Sequence, residues 1–150
     1  MALVAVIVVI GIAVVMLGGG SLLSANLSAQ DIAGYAQNAG WSGTDLEAAV
    51  AIALAESGGN PSAVGDQALA PTNGPSIGLW QINTAKHKDF TADQLTDPQT
   101  NAQAAYMVWR QAGGSFQPWT TWTNGAWYAH KADADAGIAA LNAGSGDQSA

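Results

Sequence analysis

The first charged side chain in the chain is Asp31, and mostly apolar and small residues precede it. Residues 2–23 supply the roughly 20 apolar positions that a helix needs to span a bilayer. Lysine and arginine, which form the positive region of a signal peptide, are absent from this run. Residues 1–24 are therefore predicted to be a transmembrane anchor, with a signal peptide or a segment buried in a larger assembly as alternatives.

The rest of the chain is long enough for one small domain. We predict a linker over residues 25–30, a folded domain over 31–142 and a flexible tail over 143–150. The chain has 4 Lys and Arg against 11 Asp and Glu, a net charge of −7, which excludes the phosphate-neutralising surface of a nucleic-acid-binding protein. It contains no cysteine, so disulfides and thiolate catalysis are excluded.

Apolar spacing and capping signals predict a mainly α-helical domain. Helices are expected over Asp31–Trp41 and over Thr44–Ser57, where Thr44 and Glu47 have the spacing of a capping box. The stretch Ser76–Ile82 is short enough for a small strand or turn.

Two later helices are also predicted. Asp97 followed by Pro98 indicates an N-cap and first helical residue, and Gly113 ends that helix. The stretch His130–Leu141 predicts the last helix.

Glu56 lies on the last turn of the second predicted helix, directly before Ser57 and two glycines. The negative end of the helix dipole disfavours an anion there, and Ala51–Ala55 offer no cation. Burial and a helix C-terminus both raise the pKa of a carboxyl group, which suits a general acid. Taken alone, a glutamate at this position of a helix is more often an exposed residue of no special function.

Three stretches occur in a recognisable order: Glu56-Ser57 with Asn60-Pro61-Ser62-Ala63, then Gly78-Leu79-Trp80-Gln81, then Leu95–Trp109 with its Asp-Pro-x-x-Asn. Over about residues 40–130 they resemble the lysozyme-like superfamily, most of all the catalytic domain of soluble lytic transglycosylases and their phage and actinobacterial relatives. The resemblance implies a mainly α, lysozyme-like domain of the SLT or goose type with at most a small β element. It also implies cleavage of β-1,4 bonds in peptidoglycan glycan.

By this resemblance Glu56 is the catalytic acid/base, Gln81 hydrogen-bonds an N-acetyl sugar and Ser57 steadies the local structure. The residues assigned to substrate binding are Ser57, Asn60, Ser76, Trp80, Gln81 and Tyr128. No cofactor is implied. His87 and His130 have no companions at metal-ligand spacing, so no metal site is predicted.

Ser76 stands where animal-type lysozymes carry a second carboxylate. Retaining hydrolysis needs two carboxyl groups about 5 Å apart, whereas in lytic transglycosylases the muramic 6-hydroxyl attacks and leaves a 1,6-anhydro end. Ser76 therefore favours transglycosylation, and a muramidase with Asp66 as second acid is the alternative. The family's Ala-Tyr-Asn-Ala-Gly motif is missing, which leaves open whether Tyr128, Trp122 or neither replaces its tyrosine.

The other aromatic and basic residues have more ordinary explanations. Trp109 lies on an apolar helical stripe and is predicted to be core, while Trp80 fits core and cleft lining equally well. Tryptophan is more often part of an aromatic core than a surface for stacking sugars. A place in the core is therefore predicted for Trp119, Trp122 and Trp127, with sugar stacking as the alternative. The run Lys86–Lys88 is predicted to be a solvated loop.

The predicted function is a membrane-anchored peptidoglycan lytic transglycosylase with its domain on the cell-wall side. Its expected partners are glycan strands and, through residues 2–23, the lipid bilayer. The alternatives are a non-catalytic glycan-binding module and a structural part of a phage tail, virion or secretion assembly. A module that only binds would not need the acid Glu56.

Overall fold

The computed structural model of the protein describes residues 25–65 and 74–146. Helices dominate these residues, and the β structure is one small sheet, as the sequence predicted. The elements are α1 (Ala29–Ala39), α2 (Gly43–Ser57), β1 (Val64–Gly65), β2 (Ser76–Ile77), β3 (Ile82–Asn83), α3 (Ala92–Leu95), α4 (Pro98–Gln111), α5 (Thr120–Thr123), a 3-10 helix (Ala126–His130) and α6 (Lys131–Gly146).

Helix α2 forms the centre of the fold. Its residues 48–53 are all buried, and all but Val50 and Ile52 are alanines. A helix that is apolar on every side is buried on every side, and α1, α5, α6 and the 3-10 helix all contact it. The small alanine side chains allow these neighbours to approach closely, so α2 and its last turn are held from several directions.

The sheet lies beyond the C-terminal end of α2. Its three strands are antiparallel in the order β1-β2-β3, with Val64 opposite Ile77 and Ile77 opposite Ile82. Ile77 and Ile82 are buried, so the sheet joins the same core as the helices.

An aromatic cluster fills the space between the helices and the sheet. The ring of Trp41 lies 5.7 Å from that of Trp80 and 5.2 Å from that of Tyr106, measured between centroids. Trp109 packs on Trp41 at 6.2 Å and on Phe116 at 6.0 Å, which confirms its predicted place in the core.

The helix starts agree with the sequence in one case and differ in another. Asp97 caps α4, accepting a hydrogen bond from the Thr100 N–H at 2.8 Å, as predicted. The prediction of a capping box from Thr44 and Glu47 is wrong. Helix α2 begins at Gly43, so Ser42 is its N-cap and Thr44 already lies inside the helix. The Glu47 carboxylate instead lies 3.3 Å from the Lys131 ammonium.

The ordered body extends past both predicted boundaries of the domain. Helix α1 starts at Ala29 inside the predicted linker, and the Leu27 N–H donates to the Gly59 carbonyl at 2.7 Å. Helix α6 continues to Gly146, four residues into the predicted tail. Leu27 packs against the core, which explains the first extension, whereas residues 143–146 are exposed and only continue the helix.

The predicted anchor over residues 2–23 lies outside the described residues, as does Asp66. Across residues 25–65 and 74–146, the helices are all too short or too polar to cross a bilayer.

Candidate functional site

A cleft of about 470 Å³ opens between the end of α2, the sheet and the segment that leads into α5. Its walls carry polar side chains from three separate parts of the chain. The described residues lining it are Glu56, Ser76, Gln81, Ile82, Asn83, Lys86, His87, Val108, Pro118, Trp119, Thr120 and Thr121. Glu56 is the sole carboxylate among these described residues.

Glu56 lies half-buried on the last turn of α2, where the sequence predicted a helix end. Gly58 ends the helix in the left-handed region at φ 60°, and its N–H bonds the Leu54 carbonyl. The Ser57 hydroxyl donates to the Ala53 carbonyl at 2.9 Å. The Ser57 side chain thus stabilises the last turn of the helix.

The Thr121 hydroxyl donates a hydrogen bond of 2.8 Å to Oε1 of Glu56. The two residues are separated by most of the domain in sequence, and α5 brings the threonine to the cleft. Because one carboxylate oxygen is held by a neutral donor, the orientation of the carboxyl group is fixed.

Two indole hydrogen bonds connect α5 to α2. Trp80 Nε1 donates to the Ala49 carbonyl, and Trp119 Nε1 donates to the Trp80 carbonyl, each at 2.9 Å. Trp119 is the residue that precedes α5. This buried chain therefore sets the position of Thr121 relative to Glu56.

Trp80 itself is 0% exposed and does not line the cleft. Its assignment to substrate binding is corrected, because the indole is used inside the core to join α2 to the turn. Trp119 is also buried, although it borders the cleft.

We call residues 76–83 the strand–turn segment. Asn101, fully buried on α4, makes three hydrogen bonds, and two of them hold this segment. Its Nδ2 donates to the carbonyls of Ile77 at 2.8 Å and Leu95 at 2.9 Å, and its Oδ1 accepts from the Trp80 N–H at 2.9 Å. The asparagine of the Asp-Pro-x-x-Asn motif thus connects α4 to the cleft wall by hydrogen bonds.

Gln81 lines the cleft from an unusual backbone conformation, with φ at 50°. A non-glycine residue in this region costs about 1–3 kcal/mol, and such residues concentrate at functional sites. Its amide nitrogen donates to the carbonyls of Gly78 at 2.9 Å and Ala63 at 3.1 Å. Its Oε1 lies close against Gly65, and its predicted hydrogen bond to an N-acetyl sugar stays a prediction.

The remaining predicted substrate-binding residues fall into two groups. Ser76 lines the cleft, although only 5% of it is exposed. Asn60 does not line it: its Oδ1 accepts from the Ser62 N–H at 2.9 Å and shapes the turn after α2. Tyr128, which is 67% exposed, lies outside the lining and makes a T-shaped contact with the Trp127 ring. The roles of Asn60 and Tyr128 in substrate binding therefore stay predictions.

The far side of the cleft is basic. Lys86 and His87, which we call the basic edge, both line it, although the sequence predicted only a solvated loop. Burial and the positive charge of Lys86 lower the pKa of His87, while Asp89 acts in the opposite sense.

A family model described as a lysozyme-like domain, of the SLT type, matches residues 33–121, more than half of the chain. The chain belongs to the lysozyme-like domain family. None of the curated proteins and none of the solved structures gives a significant match. Membership of this family indicates that the domain is an enzyme that cleaves the glycan of peptidoglycan.

Sequence reasoning missed two contributions to the site of this lysozyme-like domain. Thr121 stands directly before Trp122–His130, the stretch at the position of the family's tyrosine motif. A single threonine outside any motif gives no sequence signal of a functional role. The cleft position of Lys86 depends on how the strand–turn segment folds, which no local pattern predicts.

Proposed function

We propose that this lysozyme-like domain is a lytic transglycosylase that cleaves the β-1,4 bond between N-acetylmuramic acid and N-acetylglucosamine. The observation that carries the proposal is that Glu56 is the sole carboxylate among the described residues of the cleft, with Ser76 on the facing strand. One acid suffices when the substrate supplies its own nucleophile.

In the first step the Glu56 carboxyl donates its proton to the glycosidic oxygen as the bond from that oxygen to muramic C1 breaks. In the second step the Glu56 carboxylate accepts the proton of the muramic 6-hydroxyl while O6 bonds to C1. The products are a free 4-hydroxyl and a 1,6-anhydro ring, and no water is consumed. Thr121 orients the carboxyl group in both steps through its hydrogen bond.

Two alternatives differ from this proposal in their products. A muramidase would need a second acid, for which Asp66 is the candidate, and would add water to give reducing ends. A glycan-binding module would release nothing.

The test is mass spectrometry of the fragments that the full-length chain releases from purified peptidoglycan. Transglycosylation predicts fragments one water lighter than hydrolysis products, with no label taken up from isotopically heavy water. The matched variant Asp66→Asn should then lose little activity. Reducing ends together with a loss above about 100-fold in Asp66→Asn, about 2.7 kcal/mol, would instead identify a hydrolase.

We also propose that residues 2–23 anchor the chain in a membrane with the domain facing the cell wall. The support is that these residues carry no charge and are mostly apolar over the length of a bilayer. Deleting residues 1–24 should move the protein from carbonate-resistant membranes to the supernatant. Retention of the full chain in purified virions or secretion assemblies, without membrane, would favour the assembly alternative.

A further inference from the structure

Cationic side chains are scarce in this protein, which has 4 Lys and Arg and a net charge of −7. Among the described residues, the ion pairs are those of Lys131 with Glu47 at 3.3 Å and with Asp135 at 2.7 Å. Lys86 is exposed, makes neither of these pairs and lines the cleft that contains Glu56. A neutral sugar chain needs no cation, so this position requires an explanation.

The backbone at Lys86 is held firmly against the sheet. Asn83 Oδ1 accepts from the N–H groups of Ala85 at 3.0 Å and Lys86 at 3.1 Å. Asn83 Nδ2 donates to the Gly74 carbonyl at 3.1 Å, and the Thr84 N–H donates to the Pro75 carbonyl at 3.0 Å. The base of the lysine side chain is therefore fixed at the cleft.

His87 strengthens the basic edge in a different way. Its N–H bonds the Asn83 carbonyl at 3.0 Å, which places the residue on the same fixed turn. Its imidazole ring carries an N–H donor beside the Lys86 ammonium. A cation with a neighbouring donor is a suitable arrangement for a carboxylate, because charge-assisted hydrogen bonds are the strong ones.

We propose that Lys86 and His87 form a carboxylate-binding subsite for the anionic substituent of the muramic acid residue. The carboxylate belongs either to the lactyl group on O3 or to the stem peptide attached to that group. The inference rests on the proposed function, since it concerns the same ring whose C1–O bond Glu56 cleaves. A group that recognises the O3 substituent must share the cleft with that acid, as Lys86 and His87 do.

The subsite also offsets the charge of the protein. A net negative protein is repelled by an anionic polymer, and a local cation in the cleft restores attraction where the substrate must bind. A substrate that lacks the carboxylate gains nothing from Lys86. The subsite thus distinguishes muramic-acid polymers from neutral N-acetylglucosamine oligomers.

The experiment measures binding rather than turnover, in the full-length chain carrying Glu56→Gln so that no ligand is cleaved. Three ligands are compared by calorimetry: glycan strands with stem peptides, the same strands after amidase removal of the peptides, and neutral N-acetylglucosamine oligomers. Lys86→Gln is the test variant. Lys88→Gln is the matched control, because it removes the same charge two residues away and outside the cleft lining.

We expect Lys86→Gln to weaken binding about three- to tenfold for at least one carboxylate-bearing ligand. The effect should shrink at about 1 M salt, where charges are screened within about 3 Å. Loss on peptide-bearing strands alone identifies the stem peptide, and loss on stripped strands identifies the lactyl carboxylate. Lys88→Gln should change binding less than 1.5-fold, about 0.2 kcal/mol, the lower limit for an exposed ion pair.

Three results would overturn the inference: no loss on either anionic ligand, an equal loss on the neutral oligomer, or an equal loss in Lys88→Gln. A failure of the proposed function is distinguishable from these. A chain that shows the Lys86-dependent binding but releases no fragments from peptidoglycan would have the subsite without the lytic activity.

Discussion

Helix α2 and the strand–turn segment face each other across the cleft, and different forces hold them in place. Residues 48–53 of α2 are buried by apolar packing on every side. The strand–turn segment is held by hydrogen bonds from distant side chains, chiefly Asn101 and Trp119. Apolar packing leaves a pattern in the local sequence, whereas a hydrogen bond from a side chain far away in the sequence does not.

The largest effect on stability should come from Asn101→Ala, which removes the hydrogen bonds that hold the strand–turn segment to α4. The buried carbonyls of Ile77 and Leu95 and the buried Trp80 N–H lose their partner. We therefore expect a loss of about 3–5 kcal/mol in the free energy of unfolding. Urea denaturation measures this loss, and hydrogen exchange should show the Trp80 amide losing protection before α2 does. The exposed Gln103→Ala on the same helix is the control and should change stability by less than about 0.5 kcal/mol. A loss below about 1 kcal/mol in Asn101→Ala would contradict the account.

Overpacking α2 should have the next largest effect. Ala51 is 0% exposed, so Ala51→Leu forces extra volume between packed helices and should cost about 1–3 kcal/mol. Thermal unfolding measures the loss, with Ala140→Leu on the exposed face of α6 as the control. Equal stability of these two variants would mean that α2 is not tightly enclosed.

The hydrogen bond that joins α5 to the acid Glu56 should have the smallest effect. Thr121→Val keeps the side-chain shape but removes the donor to Glu56, so kcat should fall about two- to tenfold, or 0.5–1.5 kcal/mol, with KM nearly unchanged. Thr121→Ser should restore kcat, and Thr123→Val on the same short helix is the control. A rise in KM alone would assign Thr121 to substrate binding instead.

The helical part of the fold could be predicted from sequence because its signals are local. The glycines after Ser57 and the Asp97-Pro98 pair fixed the end of α2 and the start of α4. The start of α2 was missed because Glu47 is used in a long-range ion pair with Lys131 rather than in a local cap.

The site could be predicted only in part. Glu56 and Gln81 were found because their motifs resemble a family, and both line the cleft. Trp80 was ambiguous, since an indole in a motif can face sugar or core, and its bond to the Ala49 carbonyl depends on the tertiary fold. Thr121 and the basic edge reach the cleft through packing between elements far apart in sequence, which spacing alone does not encode.

The central claim is that Glu56 is the acid that cleaves glycan, and the chain contains its own control. Its two glutamates both lie on α2, Glu56 at the cleft and Glu47 at the opposite end. The measurement is the rate of fragment release from purified peptidoglycan by Glu56→Gln and Glu47→Gln. We predict a loss on the order of 10²–10⁴ in Glu56→Gln, because an amide cannot donate the proton, and near-normal release by Glu47→Gln. Normal release by Glu56→Gln, with the fold intact, would contradict the account.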